Sequence, residues 1–393
     1  MDDAPPSGGG ATREILVGRA RLLAPTFRER APAAEAARRV PPETVADIIE
    51  AGVHRICQPR RFGGYELDWT ALCETVMTLA EGDASQAWVA NVYGEHNCYV
   101  SLFPEQAQVD VWGETPDALV SSSYAPTGRA VEAEGGYRLT GTWGFSSGVH
   151  YAEWALLGAM AERGGARDGH LSLFLVPAGE QKIIDDWETM GMAATGSNSV
   201  RLEDVFVPGH RALDERLVWR GETPGSRLHA GHVYRMPQRG VAQLALASVP
   251  VGAAAGAVRD FEERLASGEA MGRPLKEMQA LQLRLADASA GAEAARRMVL
   301  GTAGRIMDKL RAGDAADNDD IACAMRDGAY ACNLARRAVD IIFEAAGGGG
   351  ARTGNHLQRT LRDVHAASNH IALGWDFAGG LFGRIRLGLE QPI

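Results

Sequence analysis

Cysteine is scarce: five residues in 393, Cys57, Cys73, Cys98, Cys323 and Cys332, and no two are spaced as C-x-x-C. An odd, scattered set excludes a disulfide framework and fits a reduced compartment, with most of these side chains acting as small buried hydrophobes. Basic residues are also short, 40 Lys and Arg against 50 Asp and Glu, for a formal charge of -10. That balance argues against a nucleic-acid partner, which needs a basic surface, and leaves room only for a local basic pocket. No apolar run approaches the roughly 20 residues of a membrane span. Residues 1–11 are Pro/Gly-rich and acidic, with neither the basic start nor the apolar core of a signal peptide. They read as a disordered tail, and the protein is expected in the cytoplasm, away from membranes. No G-x-G-x-x-G follows a strand-like run, which excludes a doubly wound nicotinamide-binding fold.

What remains is ordinary globular composition, 46% hydrophobic and 23% charged. Three textures follow one another. Residues 12–117 carry helical periodicity: Ile15, Ala20 and Leu23 on one side of a first helix, Val45, Ile48 and Ile49 after the Pro41-Pro42 start of a second, then apolar periods over Trp69–Leu79 and Ala84–Phe103. The Gly-rich, basic stretch 59–65 between them reads as a loop. Residues 118–222 alternate, with β-rich runs at Trp154–Leu157, Leu171–Val176 and Val200–Val207 punctuated by turn residues, the pattern of an antiparallel all-β unit. Residues 223–393 return to long Ala/Leu/Arg-rich helices over Val241–Leu265, Leu275–Ala312 and Ala315–Ala346, which suit an antiparallel bundle. The four glycines Gly347–Gly350 break the third, and a last helix is expected from Leu357 to about Gly374. Helices, then strands, then helices is an α+β arrangement rather than βαβ alternation.

Four passages carry a family resemblance over nearly the whole chain. They are Gln58–Gly64; Gly135–Gly141 with Phe145-Ser146-Ser147-Gly148; Met190-Gly191-Met192 with Thr195-Gly196-Ser197 and Asp204–Pro208; and Gly348–Gly350 followed by Arg362-Asp363. In this order and at these separations the sequence resembles the acyl-CoA dehydrogenase superfamily. The resemblance implies an N-terminal helical domain, a central antiparallel β-barrel and a C-terminal four-helix bundle. A dehydrogenase needs a carboxylate to take the α-proton of an acyl thioester. Counted from Arg362, the usual position of that Glu is Ile371, and residues 364–375 hold no acid. The alternative place, at the start of the bundle, is also empty of acids between Glu222 and Asp260.

Histidines stand there instead, His365 and His370. Arg362–His365, Ser123–Arg129, Trp143–Gly148 and Gly94-Glu95-His96 are similar to the flavin-dependent hydroxylases of this fold, among them the oxygenase component of 4-hydroxyphenylacetate hydroxylase and aromatic-polyketide hydroxylases. The resemblance implies the oxygenase component of a two-component monooxygenase. An NAD(P)H-dependent flavin reductase would supply reduced flavin, O2 would add to form a C4a-hydroperoxyflavin, and a phenolic or polycyclic aromatic substrate would be hydroxylated. The cofactor supplies the oxygen chemistry and the protein supplies position and dryness.

On this reading Ser147 meets flavin N5, with Ser146 its indistinguishable neighbour, Phe145 beside them and Ser123 at the pyrimidine side. Gly348 and Gly349 would let backbone approach the flavin, and a homotetramer is expected. His96 would approach the oxygenating centre or steer substrate, and His370 would bind or deprotonate a phenol, as suits an imidazole of near-neutral pKa. His365 stands as a further catalytic or supporting candidate. Trp375 and Phe377, close after His370, are substrate-wall candidates. No Arg stands where FAD-binding relatives carry an R-x-x-F-G, which favours FMN with FAD still possible. Arg235, Arg239 and Arg273 are phosphate candidates. Other readings are N- or S-oxygenation by the same machinery, as in amino-sugar N-oxygenases, a dehydrogenase with an unusual base, for which Asp376 is the nearby acid, and a non-catalytic flavin binder.

Overall fold

The computed structural model describes residues 10–163 and 166–389, so residues 1–9 of the expected tail lie outside the described residues. The Thr12 side chain accepts from the Ile15 amide and starts α1 (Arg13–Ala37). Leu16, Val17, Ala20, Ala24 and Phe27 form its buried stripe. Ile15, expected on that stripe, is 44% exposed. Five helical residues turn the chain by roughly 140° beyond a full circle, so Ile15 and Ala20 cannot share a face. Pro42 sits in the first turn of α2 (Pro42–Ala51), and Gly52, at φ +74°, closes it. Asp68 and Asp83 cap α3 (Trp69–Ala80) and α4 (Ala84–Val100) through their side chains. Helix α5 (Glu105–Trp112) completes this region. The stretch 59–65 is a loop tightened by one 3-10 turn at Arg60–Phe62.

The middle region holds β1 (Val120–Ala133), β2 (Gly136–Trp143), β3 (Trp154–Arg163), β4 (Ala166–Pro177), β5 (Lys182–Ile184), β6 (Ser199–Pro208) and β7 (Ala212–Asp214). They form one sheet in the order β5-β6-β2-β1-β3-β4-β7. The expected closed antiparallel barrel is corrected twice. The sheet is open, with β5 and β7 at its edges. Strands β1 and β3 pair in parallel, Val120 opposite Trp154 and Ser123 opposite Leu157, whereas the other neighbours are antiparallel. Strand β2 returns to the start of β1, and the chain then crosses that end before entering β3, so β3 repeats the direction of β1. Residues 144–153 make this crossing, and they contain Phe145–Gly148.

Three short helices, α6 (Glu215–Arg220), α7 (Pro224–Leu228) and α8 (Gln238–Val241), lead into α9 (Gln243–Ser267). A hairpin of β8 (Glu269–Ala270) and β9 (Arg273–Pro274) precedes α10 (Gln279–Arg311) and α11 (Asn318–Ala346). Helices α9, α10 and α11 pack on one another, and α12 (His356–Ser368) and α13 (Trp375–Arg386) both pack on α11. The expected last helix stops early, at Ser368, with Asn369 as its cap; His370 accepts the Ala372 amide to start the 3-10 turn Ile371–Leu373, and α13 begins beyond the expected end at Gly374. The stretch Gln238–Ser267 corrects the reading of apolar runs: it is long and apolar enough to cross a membrane, but 89% of its apolar window is buried inside the protein.

Helices α9 and α3 touch backbone to backbone. A Cβ on Gly252 would lie 2.1 Å from the Met77 carbonyl oxygen, and one on Gly256 2.5 Å from that of Glu81. Gly252→Ala must force the helices apart and should cost about 1–3 kcal/mol. Urea unfolding is expected to show a lower midpoint at unchanged slope, and an unchanged midpoint would contradict this close approach.

Candidate active site

Every residue of α4 is buried, so its polar side chains must find partners within the protein. His96 Nδ1 lies 2.7 Å from the Val120 carbonyl at the start of β1, and Nε2 lies 2.9 Å from Ser122 Oγ. A carbonyl only accepts, so Nδ1 carries the proton and Nε2 presents a lone pair to Ser122. Burial pushes the His96 pKa down to about 4 against the opposing Val120 bond, and the ring is neutral at physiological pH.

Eight residues earlier, Trp88 Nε1 donates to Ser147 Oγ across 3.2 Å. Ser147 Oγ is 2.7 Å from Ser197 Oγ, which is 2.6 Å from Thr195 Oγ1, and Thr195 donates to the Met192 carbonyl at 2.8 Å. The Met192 amide donates in turn to Asp363 on α12, and Arg362 donates to the Met190 carbonyl. The Arg-Asp pair thus holds the Met190–Met192 loop, which holds the serines. Burial first, then the nearby Asp83 carboxyl, push the Asp363 pKa up to about 8. Ser146 Oγ is fully buried without a partner. Phe145 stands at φ +63°, strained for a side chain of that size, and its exposed ring meets Trp187 edge-on at 5.7 Å.

The His370 ring lies 5.6 Å from the Trp88 ring, and its Nδ1 accepts the Ala372 amide at 3.2 Å. Desolvation, then the positive charge of Arg239, lower its pKa to about 4. Arg239 bonds Glu215 at 2.7 Å and lies over the Tyr124 ring, which packs against Tyr99 and His96. Glu95, on the same helix as His96, is buried with Asn91 as its hydrogen-bond partner, and burial raises its pKa to about 8.

Of the residues singled out from the sequence, His96, Ser147 and His370 are linked through α4 and its Trp88, and Ser123 lies buried beside Ser122. Arg239, paired with Glu215, lies over Tyr124 at the edge of this group, and the remaining candidates lie apart within the single chain. His365 pairs with Asp340 of α11 at 2.8 Å. Trp375 and Phe377 are 43% and 55% exposed on α13. Gly348 and Gly349 sit in an exposed turn. Arg239 is neutralised by Glu215, Arg235 bonds the Leu310 carbonyl, and Arg273 is exposed on the β8–β9 hairpin. Sequence reading missed Ser122 and Glu95. Strand alternation could have raised Ser122 as the opposite-facing neighbour of Ser123, and an acid inside an otherwise apolar, aromatic run is a signal in itself.

The buried groups set a pH dependence. Folded Glu95 keeps its proton to about pH 8, whereas the unfolded chain releases it near the ordinary value of 4.5, so this group's contribution to stability falls as pH rises through that window. His96 and His370, lowered to about 4, act in the opposite sense: the unfolded state gains protons below about 6.5, and stability falls as pH drops toward 4. In urea titrations Glu95→Gln should gain stability relative to the unsubstituted protein between pH 5 and pH 8.5. A difference between the two proteins that stays constant over that range would contradict a proton held on Glu95.

A family profile described as acyl-CoA dehydrogenase, C-terminal domain, matches residues 244–375. The FADH2-dependent resorcinol hydroxylase oxygenase component of a Rhizobium species is 36% identical over 99% of this chain and 98% of its own length. The 3-HSA hydroxylase from a Rhodococcus species superimposes with a TM-score of 0.92 at 34% identity, covering 96% of this chain and 98% of that one. XiaF from a Streptomyces species, solved with FADH2 and glycerol, gives 0.89 at 28% identity over 97% of each chain. With Ile371 where a dehydrogenase carries its base and a buried cluster of hydroxyls and imidazoles around α4, the chain belongs to the oxygenase components of two-component flavin-dependent monooxygenases, aromatic hydroxylases built on the acyl-CoA dehydrogenase fold.

Proposed function

We propose that the protein hydroxylates a small phenolic substrate on a ring carbon, with Ser122 and His96 taking the phenol proton, Ser147 contacting the flavin and a separate NAD(P)H-dependent reductase supplying reduced flavin. The balanced reaction is phenol plus reduced flavin plus O2 giving a diphenol, oxidised flavin and water. The observation that carries the reading is the bare Nε2 of His96 facing Ser122 Oγ in a buried aromatic setting. A phenol donating to Ser122 Oγ can pass its proton through that hydroxyl to Nε2 as the ring is attacked. A base of pKa about 4 does not ionise a resting phenol. It accepts the proton once oxygen transfer has made the ring acidic. His370 suits a different task from the one its sequence position suggests. Its Nδ1 is occupied by the Ala372 amide, so the neutral ring presents only an Nε2–H, a donor to an oxygen atom.

The residues fit a flavin. The Ser146 hydroxyl is orphaned and the Ser147 oxygen has acceptor capacity beyond Trp88. When bound, the flavin supplies the two electrons and activates O2. The protein's own share is to hold N5, keep water out and accept the phenol proton. The resorcinol hydroxylase relative is FADH2-dependent and XiaF was solved with FADH2, which moves the choice from FMN toward FAD. The likeness to a resorcinol hydroxylase supports a monocyclic phenol. Exposed Ile371, Trp375 and Phe377 support burial against further copies of the chain in a homotetramer.

With a flavin reductase, NADH and resorcinol or a related phenol, His96→Ala should lower product formation by about 10²–10⁴-fold. Reduced flavin should still be consumed, with the O2 it reduces recovered as hydrogen peroxide. An unchanged ratio of diphenol to flavin oxidised would remove His96 from the proton path.

A further inference from the structure

The hydroxyl chain that ends at Ser147 has a fixed direction. The Met192 carbonyl can only accept, so Thr195 spends its proton on it. The Thr195 oxygen, 2.6 Å from Ser197, must then receive the Ser197 proton. The Ser197 oxygen, 2.7 Å from Ser147, must receive the Ser147 proton. Trp88 Nε1 can only donate, and it donates to the Ser147 oxygen. All three hydroxyls are buried, so water cannot reverse the order. Ser147 is left with its proton committed to Ser197 and one lone pair free.

We infer that Thr195 and Ser197 are positioning residues that polarise Ser147 so that it can only accept, making the site select reduced flavin over oxidised flavin. The chemistry is a matter of one proton. Reduced flavin carries N5–H, a donor that the free lone pair of Ser147 accepts. Oxidised flavin presents a bare N5 lone pair, which would meet another lone pair and go unsatisfied in a dry site. A hydroxyl free to rotate would serve both states alike. The relay removes that freedom, and so favours uptake of the form the reductase delivers and release of the spent form. This rests on the placement of Ser147 beside N5 proposed above. The relay does not touch the phenol-binding side, where His96 and Ser122 use separate groups.

The loop that holds the relay is itself fixed. Gly148 N–H donates to the Thr195 carbonyl at 3.0 Å, and Tyr93 donates to the Gly148 carbonyl at 2.8 Å. Removing one hydroxyl therefore changes proton order with little change in backbone position. In Thr195→Val, Ser197 loses its acceptor and can turn its proton toward Ser147, which frees the Ser147 proton for a bare N5. In Ser197→Ala, Ser147 loses its acceptor directly. Thr195→Ser keeps the order.

The test is anaerobic equilibrium titration of the full-length protein with oxidised and dithionite-reduced FAD and FMN, reading the ratio of the two dissociation constants. Wild type and Thr195→Ser should favour the reduced form. Thr195→Val and Ser197→Ala should lower that preference on the order of fivefold to tenfold, the size of one hydrogen bond. Variants that bind both redox states more weakly by the same factor would overturn the relay, since that is what a purely structural role gives. Wild-type protein with no preference between the states would overturn the placement of flavin N5 at Ser147, and the relay with it.

Discussion

The structure depends on a helix that has no exposed face. Helix α4 is buried over its whole length yet carries Gln86, Asn91, Glu95, His96 and Asn97. An unpaired polar group in such a place is costly; Asn91 and Glu95 pair with each other within the helix, and the others draw in partners from elsewhere in the chain. Gln86 bonds the Phe27 carbonyl of α1 and Thr44 of α2. Asn97 bonds the His54 carbonyl. His96 bonds the first residue of β1, and Trp88 bonds the crossover before β3. The helix thereby ties the helical region to the sheet, and the same bonds that fold the protein set the proton positions of its site.

The sheet and the last helices converge on that arrangement from outside. Because β1 and β3 are parallel, residues 144–153 must cross the start of β1, and this crossing brings Ser147 to α4. Asp363 and Arg362 reach from α12 to hold the Met190–Met192 loop, whose own carbonyl orders Thr195. A Cβ on Gly191 would come within 2.3 Å of the Arg362 carbonyl, so the loop and α12 can meet this closely only through glycine. Where a dehydrogenase would carry its glutamate stands Ile371, 85% exposed in a short turn, and His370 beside it faces Trp88. Loss of one carboxylate thus accompanies a different use of the same corner of the fold.

Much of this was legible from residues alone. Helix starts at Thr12, Pro42, Asp68 and Asp83 follow local capping chemistry, and the break at Gly347 follows from a backbone angle of +62° that glycine adopts without strain. His96, Ser147 and His370 could be singled out from motif position and chemistry, and the structure brings the three together around α4. The parallel β1–β3 pair was not, since alternation within a strand carries no record of its neighbour's direction. Nor was the openness of the sheet, which depends on whether edge strands β5 and β7 meet. Ser122 escaped because choosing between adjacent serines requires knowing which face of β1 looks at α4. Trp375 and Phe377 lie close to His370 in sequence, but the chain turns between α12 and α13 and carries them to the surface.

The central claim is that this buried helix and the crossing loop form a site where reduced flavin and O2 hydroxylate a phenol. It is tested most directly by a single turnover of the intact protein with chemically reduced FAD or FMN, isotopically labelled O2 and a panel of simple phenols beginning with resorcinol. The account predicts a diphenol from at least one of them bearing one labelled oxygen atom, with hydrogen peroxide falling in proportion. Recovery of all the label as hydrogen peroxide with every phenol offered would contradict it.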